Sequence, residues 1–237
     1  MPHATIDLTG RHVVVTGGAG ALGTPVVARL LAAGATCHVP CIDGGPGPRG
    51  LPDVHYTPRV ELTDESSVVA YYAGLPDVWA TIHLAGGFVW STLADTSLAT
   101  VRAQLEMNAV TAFLCSREAV KKMRARARSG EVGGRIINVS SRGGTRPDAG
   151  LSAYAMGKAA VTALTLALAA ELRSEQIWAN AIVPAIIDTP ANRAAMPDAD
   201  FNKWAKPADI AETILFLASP SNATTTGALI PVDGLTP

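Results

Sequence analysis

Short apolar runs alternate with longer helix-period stretches from one end of the chain to the other. His12–Thr16 (HVVVT) precedes a glycine turn, an Ala- and Leu-rich pattern over 21–33, and a second run at 36–41 (TCHVPC), a succession that predicts strand, helix, strand. Residues 43–59, DGGPGPRGLPDVHYTPR, hold too many Gly and Pro for a long helix, so an abbreviated crossover is expected. A third strand near 59–62 then leads into a helix capped by Thr63 or Asp64. Further on, the pattern predicts a strand over 79–87, a long helix over 98–128, a strand over 134–141, a nearly all-apolar helix over 152–173, a strand over 177–184, a helix over 207–219 and a last strand over 228–232. The 134–141 run, GRIINVSS, is apolar without alternation, which suits burial on both faces of a parallel sheet. The whole predicts an α/β fold, a Rossmann-like doubly wound parallel sheet in a single domain 1–237, with a lid at about 185–206.

Composition narrows the function. The chain has 237 residues, 48% of them hydrophobic and 16% charged, and a net charge of −1, which argues against a generally basic nucleic-acid binder. The one basic cluster, KKMRARAR at 121–128, reads as a solvated helix end whose cations complement the helix dipole. MPHATIDLTG lacks the charged-then-apolar pattern of a secretory signal, and no apolar run reaches the ~18 residues of a spanning helix, so a cytoplasmic protein without membrane attachment is expected. Cys37, Cys41 and Cys115 do not form an even disulfide framework and read as buried thiols. Histidines 3, 12, 38, 55 and 83 show no close pair with metal-ligand spacing, so no metal is expected, and His83 reads as a strand residue with no role.

Two places carry candidate chemistry. Residues 16–23, TGGAGALG, set Gly18-x-Gly20-x-x-Gly23 between a predicted strand and a predicted helix, where glycines let the backbone approach a pyrophosphate seated on helix N-terminal N–H groups. Asp43, about twenty residues on, is placed for an adenosine ribose hydroxyl and favours NAD; Cys41 stands at the predicted strand tip, and Arg49 in the same loop suits NADP instead. Downstream, Tyr154-x-x-x-Lys158 puts a phenol and an ammonium one helical turn apart on one face, with Ser141 thirteen residues upstream. A neighbouring cation favours the phenolate and lowers a pKa that otherwise lies near ~10, so the spacing reads as a tuned proton donor.

TGGAGALG, the LAGG of 84–87, Asn108, the strand ending in Ser140 and Ser141, Tyr154-x-x-x-Lys158 and NAIVPAIIDTP at 180–190 occur in order over nearly the whole chain. In this the sequence resembles the short-chain dehydrogenase/reductase family. The resemblance implies an NAD- or NADP-dependent oxidoreductase interconverting a carbonyl and an alcohol on a small-molecule substrate. It makes Tyr154 the proton donor or acceptor and Ser141 the residue that orients the substrate oxygen. Lys158 would lower the tyrosine pKa and bind the nicotinamide ribose, and Asn108 would hold a water in a proton relay. Cofactor contacts are implied at Gly17, Gly18, Gly20, Leu22, Gly23, Cys41, Asp43, Glu61, Leu62, Ala85, Gly86, Tyr154, Lys158, Pro184, Ile187 and Thr189. The chain departs from the family pattern with Ala21 in place of a glycine, Leu84 in place of the asparagine of NAG, and Ala185 after Pro184.

A narrower resemblance, to dihydropteridine reductases, covers the glycine turn, the AGG after the fourth strand and DTPANRAAMPDADFNKW at 188–204. It implies NADH-dependent reduction of a quinonoid pterin, but those enzymes generally lack a serine at the position of Ser141. A non-catalytic dinucleotide sensor or scaffold on the same fold is the alternative of another class. Phe88, Trp90, Met196, Phe201 and Trp204 are candidate substrate-pocket residues, and the short lid leaves room for a bulky substrate. The apolar 152–173 helix needs cover on more than one side, which points to a homo-oligomer; the resemblance implies a tetramer or dimer.

Overall fold

In β1 (His12–Thr16) the valines alternate between two cores. Val13 and Val15 face one layer of helices while Val14 faces the other, and all three are fully buried. A sheet covered on both faces needs this, and the other central strands repeat it. The computed structural model describes residues 6–45, 50–128, 130 and 133–236. Its strands are β1, β2 (Thr36–Pro40), β3 (His55–Thr57), β4 (Ala80–His83), β5 (Gly134–Val139), β6 (Ile177–Val183) and β7 (Leu229–Pro231). They form one parallel sheet in the order β3-β2-β1-β4-β5-β6-β7. The order reverses between β1 and β4, and in such sheets ligands bind outside the strand C-termini at that point.

The helices α1 (Gly23–Ala32) and α8 (Pro207–Ala218) pack on one face, where Val26, Leu30, Ile210 and Ile214 meet Val13, Val15 and Ile82. Helices α2 (Glu65–Ala73), α3 (Leu98–Leu105), α4 (Thr111–Ala127) and α6 (Ser152–Glu171) lie in order between these elements, with the short α5 (Arg142–Thr145) and α7 (Pro190–Ala195) beside them. The second core joins Val68 and Tyr72 of α2, Leu114 and Met123 of α4, and Ala169 of α6 to Val14, Ile136 and Ala179. Asp64 caps α2 by accepting a hydrogen bond from Ser66 N at 2.9 Å.

Several expectations are corrected. The third strand is His55–Thr57, not 59–62. Pro58 has no N–H to continue a ladder and Arg59 turns left-handed at φ 59°, so Val60 meets Cys41 O by its own N–H at 2.9 Å instead of extending the strand. The helix expected over 98–128 is broken by a π turn at Glu106–Val110. The basic cluster is the solvated helix end expected of it, with Lys121, Arg124 and Arg128 exposed, except that Arg126 is buried; Arg124 pairs with Glu175 at 2.7 Å, Lys121 pairs with Glu118 at 2.8 Å, and Lys122 donates to Leu75 O at 2.6 Å. By length and composition alone α6 is apolar enough to cross a bilayer; in the fold it packs against β6, α5 and the π turn.

Candidate active site

Tyr154 and Lys158 sit in the first two turns of α6, and Ser141 follows the end of β5 as the N-cap of α5, where its Oγ accepts from Gly143 N at 3.1 Å. Parallel pairing of β5 with β4 and β6 fixes the strand, and α5 packs along α6, so the serine is carried to the tyrosine. A Cβ on Gly143 would stand 3.3 Å from the Tyr154 ring and 3.5 Å from Ser141 Oγ, so the two side chains flank this glycine. Burial raises the Tyr154 pKa, and the Ser141 hydroxyl beside it opposes that rise. Lys158 is buried, and burial pushes its ammonium down to about 8.

Lys158 Nζ donates to Val139 O at 2.9 Å and stands 5.9 Å from the centre of the Tyr154 ring, so a backbone carbonyl holds the cation on the tyrosine's side of the helix.

Asn108 lies inside the π turn, fully enclosed. Its Nδ2 donates to Gln104 O at 3.0 Å and Gly87 O at 3.1 Å, and its Oδ1 accepts from Gly87 N at 3.3 Å. The amide thus clamps the segment after β4. A Cβ on Gly86 would stand 2.5 Å from Asn108 Oδ1 and 3.6 Å from Lys158 Nζ, so the chain passes close to both groups here.

At the nucleotide end, Gly17 adopts φ 67° and Gly20 N donates back to Gly17 O at 3.0 Å, which closes the turn. A Cβ on Gly23 would fall 2.1 Å from Gly17 O, so only glycine lets α1 start this close to the loop. The α1 N-terminus, opened by Leu22, has no side-chain cap, and its N–H groups and dipole suit a phosphate. Ala85 N donates to Thr16 Oγ1 at 3.2 Å, which sets the β4 loop beside this turn. These residues fit a dinucleotide.

The adenosine side differs from expectation in detail. Cys41 is buried just beyond β2, with burial and then Asp43 raising its thiol pKa. Asp43 is exposed, and its carbonyl accepts from Arg59 N at 3.2 Å. Glu61 is turned onto Thr63, accepting from its N at 3.0 Å and its Oγ1 at 2.7 Å, beside half-buried Leu62. Arg49 lies outside the described residues. Where the resemblance implies nicotinamide contacts, Pro184 O accepts from Arg142 N, Ile187 bridges to Ala205, and Thr189 caps α7 by accepting from Asn192 N at 3.2 Å.

The candidate pocket residues divide. Phe88 meets the Tyr154 ring edge-on, with centroids 4.9 Å apart, and Trp90 is laid on the loop before α6. Met196 and Phe201 are half-buried on the lid. Trp204, by contrast, is buried and packs against Phe201. It faces a cavity of about 450 Å³ with Lys206, Ile210, Val232 and Leu235, and none of Ser141, Tyr154 or Lys158 lines that cavity.

Sequence reasoning gave His83 no role, yet it is the centre of a buried polar chain. Tyr72 Oη lies 3.0 Å from Thr81 Oγ1, Thr81 Oγ1 lies 2.9 Å from His83 Nε2, and His83 Nδ1 lies 2.7 Å from Asn138 Oδ1. Asn138 Nδ2 donates to Thr165 Oγ1 at 2.8 Å, and Thr165 donates to Val161 O at 2.8 Å. The signal was available: two polar residues break apolar strands, and β4–β5 pairing sets them side by side.

Comparison with known proteins completes the description of the site. A family model described as enoyl-(acyl carrier protein) reductase matches residues 55–234. The chain is 32% identical over 95% of its length to an uncharacterized short-chain type dehydrogenase/reductase of Sinorhizobium fredii. It spans only 43% of that relative's length, and 55% of a second, from Picea abies. It is 29% identical to the cis-4-hydroxycyclohexanecarboxylate dehydrogenase of Sinomonas cyclohexanicum, over 94% of this chain and 95% of the relative. A solved structure described as a short chain dehydrogenase/reductase family protein superposes with TM-score 0.84 at 29% identity, covering 97% of this chain and 98% of the other.

Proposed function

Because this chain belongs to the short-chain dehydrogenase/reductase family, we propose that it is an NAD- or NADP-dependent oxidoreductase interconverting a carbonyl and an alcohol, with Tyr154 as the proton donor or acceptor. The placement of the Ser141 and Tyr154 side chains on either side of Gly143 carries this reading, because two hydroxyls converging near a dinucleotide turn suit an oxygen that gains charge as it reacts.

When bound, the nicotinamide supplies or accepts the hydride. The uncapped α1 N-terminus and the turn at Gly17, Gly18, Gly20 and Gly23 would hold its pyrophosphate, Ala85 and Gly86 would run alongside, and Pro184, Ile187 and Thr189 would border the nicotinamide. In the reducing direction Ser141 orients the carbonyl oxygen and Tyr154 Oη gives it a proton. Burial keeps the phenol protonated and ready to donate. Lys158, held by Val139 O, sits one turn below as the cation that receives a ribose hydroxyl and supports the tyrosine when its proton leaves. Asn108 keeps the Gly86–Gly87 backbone in place beside them and would border a relay water.

Ser141 in contact with Tyr154 favours a carbonyl over a quinonoid pterin. Asp43 favours NAD. The exposed apolar side chains of α6, Met156 and Leu166, favour a homo-oligomer, and the cytoplasm is the proposed compartment.

Tyr154→Phe tests the mechanism: turnover is expected to fall by about 10²–10⁴, while quenching of protein fluorescence by the dinucleotide stays at the wild-type level. Normal turnover in this variant would sink the mechanism. A wild-type protein that binds the dinucleotide yet reduces or oxidises nothing in a carbonyl and alcohol panel is a sensor.

A further inference from the structure

Beside the tyrosine stands an aromatic wall. Phe88 is 65% exposed and Trp90 60% exposed, and both lie in the segment that Asn108 clamps at Gly87. Large side chains this open in a cluster mark a contact surface. Trp90 is held from behind: its Nε1 donates to Ala149 O at 3.1 Å, Ser91 N donates to Gly150 O at 2.9 Å, and a Cβ on Gly150 would stand 2.3 Å from the indole. Gly150 has φ 80°, so the glycine is required both by its backbone and by the ring laid on it. With its only polar atom turned inward, Trp90 offers the cleft nothing but a hydrocarbon face. Phe88, edge-on to Tyr154, offers the same.

Charge is scarce around this wall. On the lid, Asp188 is engaged by Arg193 at 2.5 Å and by Lys206 at 2.7 Å, and Arg193 also lies over the Phe201 ring. Arg142 is engaged as well. On the loop between Ser141 and Tyr154, Arg146 and Asp148 carry opposite charges and both are exposed.

Building on the carbonyl–alcohol reading, we propose that the substrate is a neutral ring ketone or its alcohol, with an alicyclic or aryl-fused body lying on Trp90 and Phe88 while the oxygen meets Ser141 and Tyr154. Trp90 is the specificity-determining residue: it supplies face contact to the ring and accepts no polar substituent there.

The test compares initial rates of the protein with NADH and NADPH on cyclohexanone, 1-tetralone, 4-oxocyclohexanecarboxylate, a ketose and butan-2-one. Neutral ring ketones are expected to exceed the carboxylate and the ketose by about tenfold or more in kcat/KM, the scale of discrimination by an apolar pocket. Trp90→Ala is expected to cut the ratio of tetralone to butan-2-one kcat/KM about tenfold, through KM, with Trp90→Phe restoring most of it. Equal or better turnover of the carboxylate or ketose by the wild-type protein overturns the substrate assignment and leaves the oxidoreductase reading standing. An equal loss on both ketones in Trp90→Ala overturns the role of Trp90. No turnover of any carbonyl, or of the matching alcohols, overturns the oxidoreductase reading itself. The wild-type panel stands even where a variant fails to fold.

Discussion

Two polar constellations lie near the C-terminal ends of β4 and β5, and they differ in spare capacity. The chain from Tyr72 to Thr165 is closed. Thr165 gives its hydrogen to Val161 O, so it accepts from Asn138; Asn138 therefore turns Oδ1 to His83, which must donate from Nδ1. Burial holds the imidazole neutral, with its pKa lowered to about 4, so Nε2 accepts from Thr81 and Thr81 accepts from Tyr72. Every hydrogen in the run has one assignment. The pair of Ser141 and Tyr154 is open: Ser141 Oγ accepts from Gly143 N, and both hydroxyls keep a hydrogen for an incoming oxygen. A saturated network specifies a core, whereas an unsaturated one waits for a ligand.

That contrast can be broken from either side. The largest effect is expected at the open pair, where Ser141→Ala should lower kcat/KM by about 10²–10³ with the melting temperature nearly unchanged, as initial rates and thermal melts will show. A large drop in melting temperature would make the serine a structural member instead. In the closed chain, Asn138→Ala strands buried groups on His83 and Thr165 and is expected to cost about 1–3 kcal/mol, read by denaturant unfolding, with wild-type KM for substrate retained.

Acid comes next. His83 is pushed down to about 4 by burial, and His38 likewise by burial and by His12 and His55 beside it. Between pH 6.5 and about 4 the unfolded chain takes up protons that these two imidazoles refuse in the fold. Stability is therefore complete above pH 6.5 and falls progressively as pH drops through that window. Melts from pH 7 to 4 should show the fall, and His83→Gln should flatten it in part; an unchanged curve would mean that the histidine is charged in the fold. The smallest effect is expected for Tyr72→Phe, at the end of the chain: Thr81 keeps its bond to His83, and the loss should stay near about 1 kcal/mol.

Much of this was legible in the sequence, because each central strand is a short apolar run and each crossover carries its own caps. The glycine turn, Ser141, Tyr154 and Lys158 could be named from spacing, and β5 and α6 bring the last three together. What escaped depended on partners remote in sequence. The PRVEL stretch has strand-like residues, yet pairing on the sheet edge uses His55, Tyr56 and Thr57 opposite His38, Val39 and Pro40, and Arg59 ends it by its backbone sign. The helix face shared by Tyr154 and Lys158 gave no sign that Lys158 Nζ also donates to Val139 O, a strand carbonyl nineteen residues upstream. Trp204 looked like pocket lining by position on the lid and is core by burial. His83 and Asn138 acquire meaning only through the β4–β5 register.

The π turn at Glu106–Val110 makes the stretch from Leu98 to Ala127 two rods out of phase. One surplus residue rotates everything beyond it by about 100°, so the apolar stripe of α4 is aimed independently of that of α3. Lengthening or trimming this stretch by a single residue acts like a frame error in the helix wheel, swinging Asn108 off the strand-four loop while every side chain in the list stays the same.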